Sequence, residues 1–113
     1  ALVGPARRQG EALGRRVLAD AGVDVLLTPP ARGPAVPIGH WDGRRGLPTM
    51  LAMARHYAHT PAWNHTGQPA AVVPVGRSRA GLPLAAQLVV PPGHDARLVA
   101  LAAQLERAED RDG

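Results

Sequence analysis

Residues 60–90, TPAWNHTGQPAAVVPVGRSRAGLPLAAQLVV, decide the fold of this chain. Two apolar runs, Ala71–Val75 and Leu84–Val90, flank a turn bounded by Gly76 and Gly81, which predicts a β-hairpin. Pro74 and Pro83 lack the N–H that a ladder needs, so we expect edge positions or bulges near the hairpin tip. A polar corner, 64–69, precedes the first strand, and two amides, an imidazole and a hydroxyl fall within it.

A helix is predicted upstream, over residues 5–21. Pro5 suits a first helical turn, and Gly22 suits a C-terminal cap. The spacing of the apolar residues predicts that Leu13, Val17, Leu18 and Ala21 form the packing face. Glu11 and Arg15 are four residues apart with the acid first, which predicts an ion pair on the helix surface.

The segment between this helix and the polar corner predicts one strand, one long loop and further helix. The apolar run 23–28 predicts a strand buried on both faces, in an α/β arrangement. Residues 29–48 are rich in Pro and Gly and predict an irregular loop. A helix is expected from Pro48 or Thr49 to about Tyr57, interrupted at Pro61 and followed by another turn through Thr66.

The last helix is expected to begin at His94 or Asp95 and to run to about Arg107. Its predicted apolar face comprises Leu98, Val99, Leu101, Ala102 and Leu105. Residues 108–113 are predicted to be a disordered, charged tail. The whole chain, 1–113, is interpreted as a single partial domain, because three strongly apolar strands are too few for a self-covering sheet.

Composition excludes several classes of protein. The chain has no Cys, which fits a reducing compartment, and we expect a cytoplasmic location. It has no apolar run of about 18 residues and no leader pattern, so neither a membrane span nor a signal peptide is expected. The net charge of +4 comes entirely from scattered Arg without interleaved aromatics, which favours solvated faces over a nucleic-acid surface.

Candidate catalytic and metal-binding groups are sparse. There is no Lys and a single Ser, Ser78, which lies in the hairpin turn, so no activated nucleophile is predicted here. A pair of Thr66 with His65 lacks a partner carboxylate. His56 and His59 share a helical face, and other His residues could join them, but they match no zinc motif. We therefore expect no catalytic residue, no metal and no cofactor in these residues.

The polar corner allows two interpretations from its residue types alone. Amide side chains carry both donors and acceptors, so Asn64 could orient a carboxamide or carbonyl group. Alternatively, Asn64 and Thr66 bond the local backbone and cap the neighbouring elements. Both interpretations remain open at this point.

The chain resembles the C-terminal end of amidase signature enzymes. The resemblance rests on 64–70 (NHTGQPA), 73–76 (VPVG), 81–89 (GLPLAAQLV) and the earlier 24–29 (DVLLTP), and it covers roughly residues 5–107. It implies the C-terminal portion of an α/β/α fold with a mixed sheet, including the β-hairpin and its flanking helices. It also implies hydrolysis of carboxamide C–N bonds in linear amides through a Ser, cis-Ser and Lys triad upstream of this chain, so that the segment alone is inactive.

The resemblance also implies site residues and partners. The substrate-binding candidates are Tyr57, Trp63, Asn64 and Thr66. The expected partners are a small-molecule amide and the rest of an amidase domain, whereas membrane and nucleic acid are not expected and a homodimer stays open. Two alternatives are an A-type subunit of glutamyl-tRNA amidotransferase and a non-catalytic remnant or small binding module with a basic surface. We expect the isolated chain to be marginally stable or prone to aggregation, because its apolar faces lack partners.

Overall fold

A computed structural model describes residues 3–112 of the chain. Its elements are α1 (Val3–Ala21), β1 (Leu26–Thr28), α2 (Gly46–His56), α3 (Pro61–Thr66), β2 (Ala70–Arg77), β3 (Pro83–Val89) and α4 (Asp95–Asp112). The strands form an antiparallel sheet in the order β1-β3-β2. The predicted α/β class, with a β-hairpin and flanking helices, is confirmed.

The hairpin forms where residues 60–90 predict it. Ala71 pairs with Leu88 and Val73 with Ala86, and the register shifts between Pro74 and Gly76. This bulge and the edge position of β2 accommodate the proline that cannot donate to the ladder. The turn is closed by Ser78, whose N–H donates to the Leu82 carbonyl at 2.8 Å, while its hydroxyl accepts from the Leu82 N–H at 3.1 Å.

The strand predicted over 23–28 is shorter and less covered than expected. Only Leu26–Thr28 pairs, along one side of β3, which places β1 at the edge of the sheet. Leu27 is 64% exposed, so the prediction of a strand buried on both faces is wrong for this structure. An edge strand has a neighbour on one side only, and the described residues leave one of its faces open.

The core lies between the hairpin and α4. Leu98 of α4 packs with Val73, Leu88 and Val90, and all four are buried. Burial of such side chains contributes about 1.5–3 kcal/mol each. Leu101, Ala102 and Leu105 pack at the margin of this cluster as predicted, whereas Val99 is 67% exposed.

Helix α4 continues beyond the predicted end at Arg107. It runs to Asp112, so the residues expected to form a disordered tail are helical over 108–112, and Gly113 lies outside the described residues. The physical reason is the absence of a helix breaker: neither Gly nor Pro occurs between Asp95 and Asp112.

Helix α1 confirms the predicted span, but Leu18 alone of the predicted face Leu13, Val17, Leu18 and Ala21 is buried. Leu13 is 55% exposed and Val17 is 39% exposed, whereas Gly10, Gly14 and Leu18 are buried. The predicted pair of Glu11 with Arg15 is also wrong, because Glu11 accepts a hydrogen bond from Arg7 Nε at 3.1 Å. A face built on glycine carries no hydrophobic signal, which explains why the pattern missed it.

The middle of the chain is irregular until α2, as predicted. The loop is fixed to the junction of α2 and α3, since the Arg32 N–H donates to the His56 carbonyl at 2.9 Å and Thr60 Oγ1 donates to the Pro30 carbonyl at 3.0 Å. Pro61 does not interrupt a helix but begins α3, where a missing N–H costs nothing. No helix within residues 3–112 combines the length and apolar character needed to cross a membrane.

Candidate functional site

The polar corner is a short helix that ends directly before the sheet. Pro61 occupies the first turn of α3, and Gly67 ends the helix with a left-handed φ of 73°. The Gly67 N–H donates to the Trp63 carbonyl at 2.9 Å, which closes the last turn. Only residues 67–69 separate α3 from β2, and the Pro69 carbonyl accepts from the Val90 N–H at 3.1 Å. The corner is therefore fixed to the end of the hairpin.

Two glycines bring α1 unusually close to this corner. A Cβ added at Gly10 would lie 2.7 Å from the His65 carbonyl oxygen, and one at Gly14 would lie 2.6 Å from Cδ of Gln68. Real Cβ atoms do not approach other atoms this closely. Gly10 therefore requires glycine, because it faces backbone, whereas a Cβ at Gly14 would require the end of the Gln68 side chain to move. The contact sets the distance between α1 and α3.

A groove of about 710 Å³ opens beside this helix contact. Such a volume falls within the range of small-molecule sites. Helix α3 and its cap supply one wall, α1 supplies the other, and Pro92 comes from the segment after β3. The lining residues are Ala6, Arg7, Glu11, Arg15, Asn64, His65, Thr66, Gly67 and Pro92.

The structure brings two of the four predicted site residues to this groove. Asn64 and Thr66 line it, whereas Tyr57 and Trp63 do not. Tyr57 caps the C-terminal end of α2, is 44% exposed and packs edge-on against His56, with ring centroids 4.8 Å apart. Trp63 is half-buried, and its indole Nε1 is buried without a hydrogen-bond acceptor among the described residues.

Asn64 and Thr66 differ in how free their side chains are. Thr66 is buried, and its hydroxyl donates to the Ala62 carbonyl at 2.9 Å, which is the local bonding that its residue type favours. Only the oxygen lone pairs of Thr66 remain for a ligand. Asn64 is exposed, and its side chain has no hydrogen bond within the described residues. Its amide therefore keeps both donor and acceptor capacity.

Gln68 lies behind the corner with an unsatisfied amide. The residue is 6% exposed, and neither its Oε1 nor its Nε2 has a partner among the described atoms. Burying an unbonded polar group costs about 1–3 kcal/mol, so this amide weakens the contact between α1 and α3 in the structure as described.

Gln87 connects the site to the sheet. It is 2% exposed on β3, and its Nε2 donates to Thr28 Oγ1 at 3.1 Å and to the His59 carbonyl at 3.3 Å. One side chain thus joins β1, β3 and the residues just before α3. It holds the start of the helix that carries Asn64.

Sequence reasoning missed the contribution of α1 to the groove. Arg7, Glu11 and Arg15 recur every four residues and therefore share one stripe of the helix. That spacing was visible in the sequence. What the sequence did not reveal is that this stripe faces α3, because the adjacent contact is made by glycines.

His56 and His59 were considered above as metal ligands together with other His residues, and the structure does not bring such a set together. Within the described part of the chain, no group of three or more His, Asp or Glu side chains is arranged to hold a metal ion.

The candidate nucleophiles are equally sparse. The Ser78 hydroxyl is used in the hairpin turn, where it accepts from the Leu82 N–H, and the sequence contains no Lys. The groove offers polar groups through Asn64 and through Arg7, Glu11 and Arg15 of α1, but within residues 3–112 it brings no nucleophile next to a base.

Comparison with known proteins gives a consistent result. A family model described as Amidase matches residues 6–99. A protein named "Putative amidase AmiB2" from Mycobacterium tuberculosis is 44% identical over 86 residues, covering 76% of this chain and 19% of that protein. The A-type subunit of glutamyl-tRNA(Gln) amidotransferase from a Synechococcus species is 43% identical over 89 residues, covering 78% of this chain and 17% of that protein.

A solved structure extends the likeness to three dimensions. The structure of 6-aminohexanoate cyclic dimer hydrolase matches with a TM-score of 0.59 and 30% identity, covering 82% of this chain and 21% of that hydrolase. The chain thus spans about a fifth of the length of the relatives it matches.

Proposed function

The chain belongs to the amidase family, and on that premise we propose that it is the C-terminal part of an amidase domain that hydrolyses linear carboxamides. In such a reaction a nucleophile attacks the carbonyl carbon, the C–N bond breaks, the amine leaves with a proton, and water releases the acid. The observation that carries the proposal is the family match over residues 6–99 in a chain with no Lys and a single Ser in a turn. The nucleophile and base therefore belong to residues outside these 113.

We propose that the polar corner and the residues next to it form one wall of the substrate pocket. Asn64 offers a free amide, which can accept from a substrate N–H and donate to its carbonyl. Thr66 offers hydroxyl lone pairs beside it. Tyr57 at the end of α2 and Trp63 on α3 itself are proposed to contact the apolar part of a substrate once the rest of the domain is in place.

A graft tests this proposal directly. Residues 6–107 would replace the matched segment of 6-aminohexanoate cyclic dimer hydrolase, and hydrolysis of that hydrolase's cyclic substrate and of linear amides such as benzamide would be measured. We expect the graft to hydrolyse amides, and both the 113-residue chain alone and the hydrolase lacking the segment to be inactive. A soluble, folded graft without activity would overturn the proposal, and so would hydrolysis by the isolated chain.

Ser78 provides the matched control for this graft. Because its hydroxyl serves the hairpin turn, Ser78→Ala should leave hydrolysis within about twofold of the unchanged graft. Loss of activity in a folded Ser78→Ala graft would show that the nucleophile lies within this chain. That result would contradict the proposal that the nucleophile and base lie outside these 113 residues.

A second candidate is the A-type subunit of glutamyl-tRNA amidotransferase. It is favoured by the 43% identity to a protein of that type over 89 residues. The same segment grafted into that protein, together with its partner subunits, would be assayed for glutamine-dependent amidation of glutamyl-tRNA. Activity there but not in the hydrolase graft would favour the transamidation role. A cytoplasmic location remains a prediction under either function.

A further inference from the structure

We propose that the groove between α1 and α3 binds the carboxylate group of a small molecule. The groove is concave, about 710 Å³ in volume, and lined on one wall by guanidinium groups and on the other by amide and imidazole groups. These are the donor types that recognise carboxylates. The following observations support this ligand rather than a neutral one.

The ion pairing on α1 leaves one guanidinium free. Arg7 bonds Glu11 at 3.1 Å, which occupies the only carboxylate among the lining residues. Among the residues that the structure describes, the Arg15 side chain has neither a hydrogen bond nor an ion pair. Its planar fork of donors is therefore available to a carboxylate in the groove.

The opposite wall adds further donors. The side chains of Asn64 and His65 have no hydrogen bond within the described residues, and both line the groove. An amide donates two N–H groups, and an imidazole ring donates at least one. One free guanidinium with an amide and an imidazole matches a monovalent carboxylate, whereas a phosphate dianion would be repelled more strongly by Glu11.

This match identifies the ligand as a carboxylate. Which molecule carries that carboxylate is inferred from the proposed function. Amide hydrolysis produces a carboxylate, so the ligand is either that product or an acidic group carried by the amide substrate. The first source predicts that a free carboxylate binds as well as an acidic amide. The second predicts that the amide adds affinity, because Asn64 then bonds it.

The test is a titration of the 113-residue chain carrying Leu47→Glu and Leu51→Glu, which should reduce self-association because they interrupt an exposed apolar face of α2, outside the groove. Binding is followed by amide chemical shifts in nuclear magnetic resonance spectra, and sucrose at low temperature supports the folded state without adding an anion. Benzoate, benzamide, 4-carbamoylbenzoate and inorganic phosphate would be compared at constant ionic strength. We expect benzoate to shift the signals of residues 64–67 and of Glu11 saturably, and benzamide to shift them at least about threefold less at equal concentration.

Variants on α1 make the result specific. Arg15→Gln should weaken benzoate binding about threefold, whereas Arg16→Gln, an exposed neighbour that does not line the groove, should not change it. Glu11→Gln should strengthen binding, because it removes the repelling charge and frees Arg7. Equal responses to benzoate and benzamide, or indifference to Arg15→Gln, would overturn the proposal.

The same titration distinguishes a product carboxylate from a substrate carboxylate. Together with the activity of the graft, it also tests the carboxylate site and the amidase role independently. Tighter binding of 4-carbamoylbenzoate than of benzoate assigns the site to an acidic substrate, and equal binding assigns it to the product. Inactivity of the graft described above with intact benzoate binding would refute the amidase role alone. An active graft whose chain binds no benzoate would refute the carboxylate site alone.

Discussion

Gln87 shows how one buried polar side chain determines where the candidate site lies. The hairpin pattern placed it in a strand, but only the structure shows that its amide bonds Thr28 and the His59 carbonyl. A buried donor that satisfies two acceptors costs little, whereas removing it leaves both acceptors unbonded. The residue therefore links sheet stability to the position of α3.

Replacing Gln87 with Leu should destabilise the fold by about 2 kcal/mol, because two part-buried hydrogen bonds to Thr28 and to the His59 carbonyl are lost. Thr28→Val should cost only about 1 kcal/mol, since Gln87 keeps the His59 carbonyl. Urea unfolding followed by tryptophan fluorescence, at low temperature with sucrose, measures both changes. The double variant should cost less than the sum of the single variants, and strict additivity would contradict a direct Gln87–Thr28 bond.

Asn64 and Thr66 should separate binding from stability. Asn64→Ala in the hydrolase graft should lower kcat/KM about tenfold with little change in melting temperature, because the side chain is exposed and unbonded within the described residues. Thr66→Val should instead cost about 1 kcal/mol of stability, because its buried hydroxyl bonds the Ala62 carbonyl. A melting temperature that falls more for Asn64→Ala than for Thr66→Val would reverse this assignment.

At the scale of elements, helix α1 marks the limit of reasoning from hydrophobic patterns. The span of the helix was predictable from Pro5, Gly22 and the spacing of its apolar residues. Its packing face was not, because Gly10 and Gly14 act through the absence of a side chain. For the same reason the sequence did not reveal that Arg7, Glu11 and Arg15 line the groove. In contrast, the hairpin was predictable because two apolar runs, the Gly-bounded turn between them and the prolines near its tip all indicated the same pair of strands.

Gly10→Ala tests whether glycine is required at the contact between α1 and α3. Alanine raises helix propensity by about 1 kcal/mol, so in an open position it should stabilise. At Gly10 the new Cβ would meet the His65 carbonyl at 2.7 Å, and we expect a net loss of about 1–3 kcal/mol. Urea unfolding of the chain measures the change.

Gly4→Ala is the matched control on the same helix. Nothing lies within 4 Å of a Cβ placed at Gly4, so this variant should be neutral or slightly stabilising. If Gly10→Ala were as stable as Gly4→Ala, α1 would not pack on α3 as described, and the groove between them would lose its basis.

The whole molecule is more open than a compact domain of its mass. Its accessible surface is 8211 Å², whereas a monomer of 11.8 kDa is expected to expose about 5,900 Å². Its radius of gyration is 16.5 Å, against about 13 Å expected for this length. Many large apolar side chains are exposed, among them Leu27, Leu47 and Met50, and α2 has no buried residue at all. These values support the proposal that the chain packs against further parts of an amidase domain.

The exposed apolar face of α2 predicts that the isolated chain self-associates. Leu47, Met50 and Leu51 share one helical face and are each more than half exposed. Exposed apolar patches of this kind promote self-association, so the isolated chain should form concentration-dependent oligomers or aggregates in light scattering. A sharp, cooperative melt of a monomer would contradict this expectation.

Charged substitutions on α2 identify this face as the cause. Leu47→Glu with Leu51→Glu should reduce self-association of the isolated chain, because the patch is interrupted, yet lower the soluble yield of the hydrolase graft, where the same face needs an apolar partner. Arg79→Glu is the control, since it is exposed in the hairpin turn rather than on α2, and it lowers the formal net charge by the same two units. If Arg79→Glu dissolved the aggregates equally well, net charge rather than the α2 face would govern association. If the Leu variants left the graft unaffected, α2 would have no packing partner in the amidase domain.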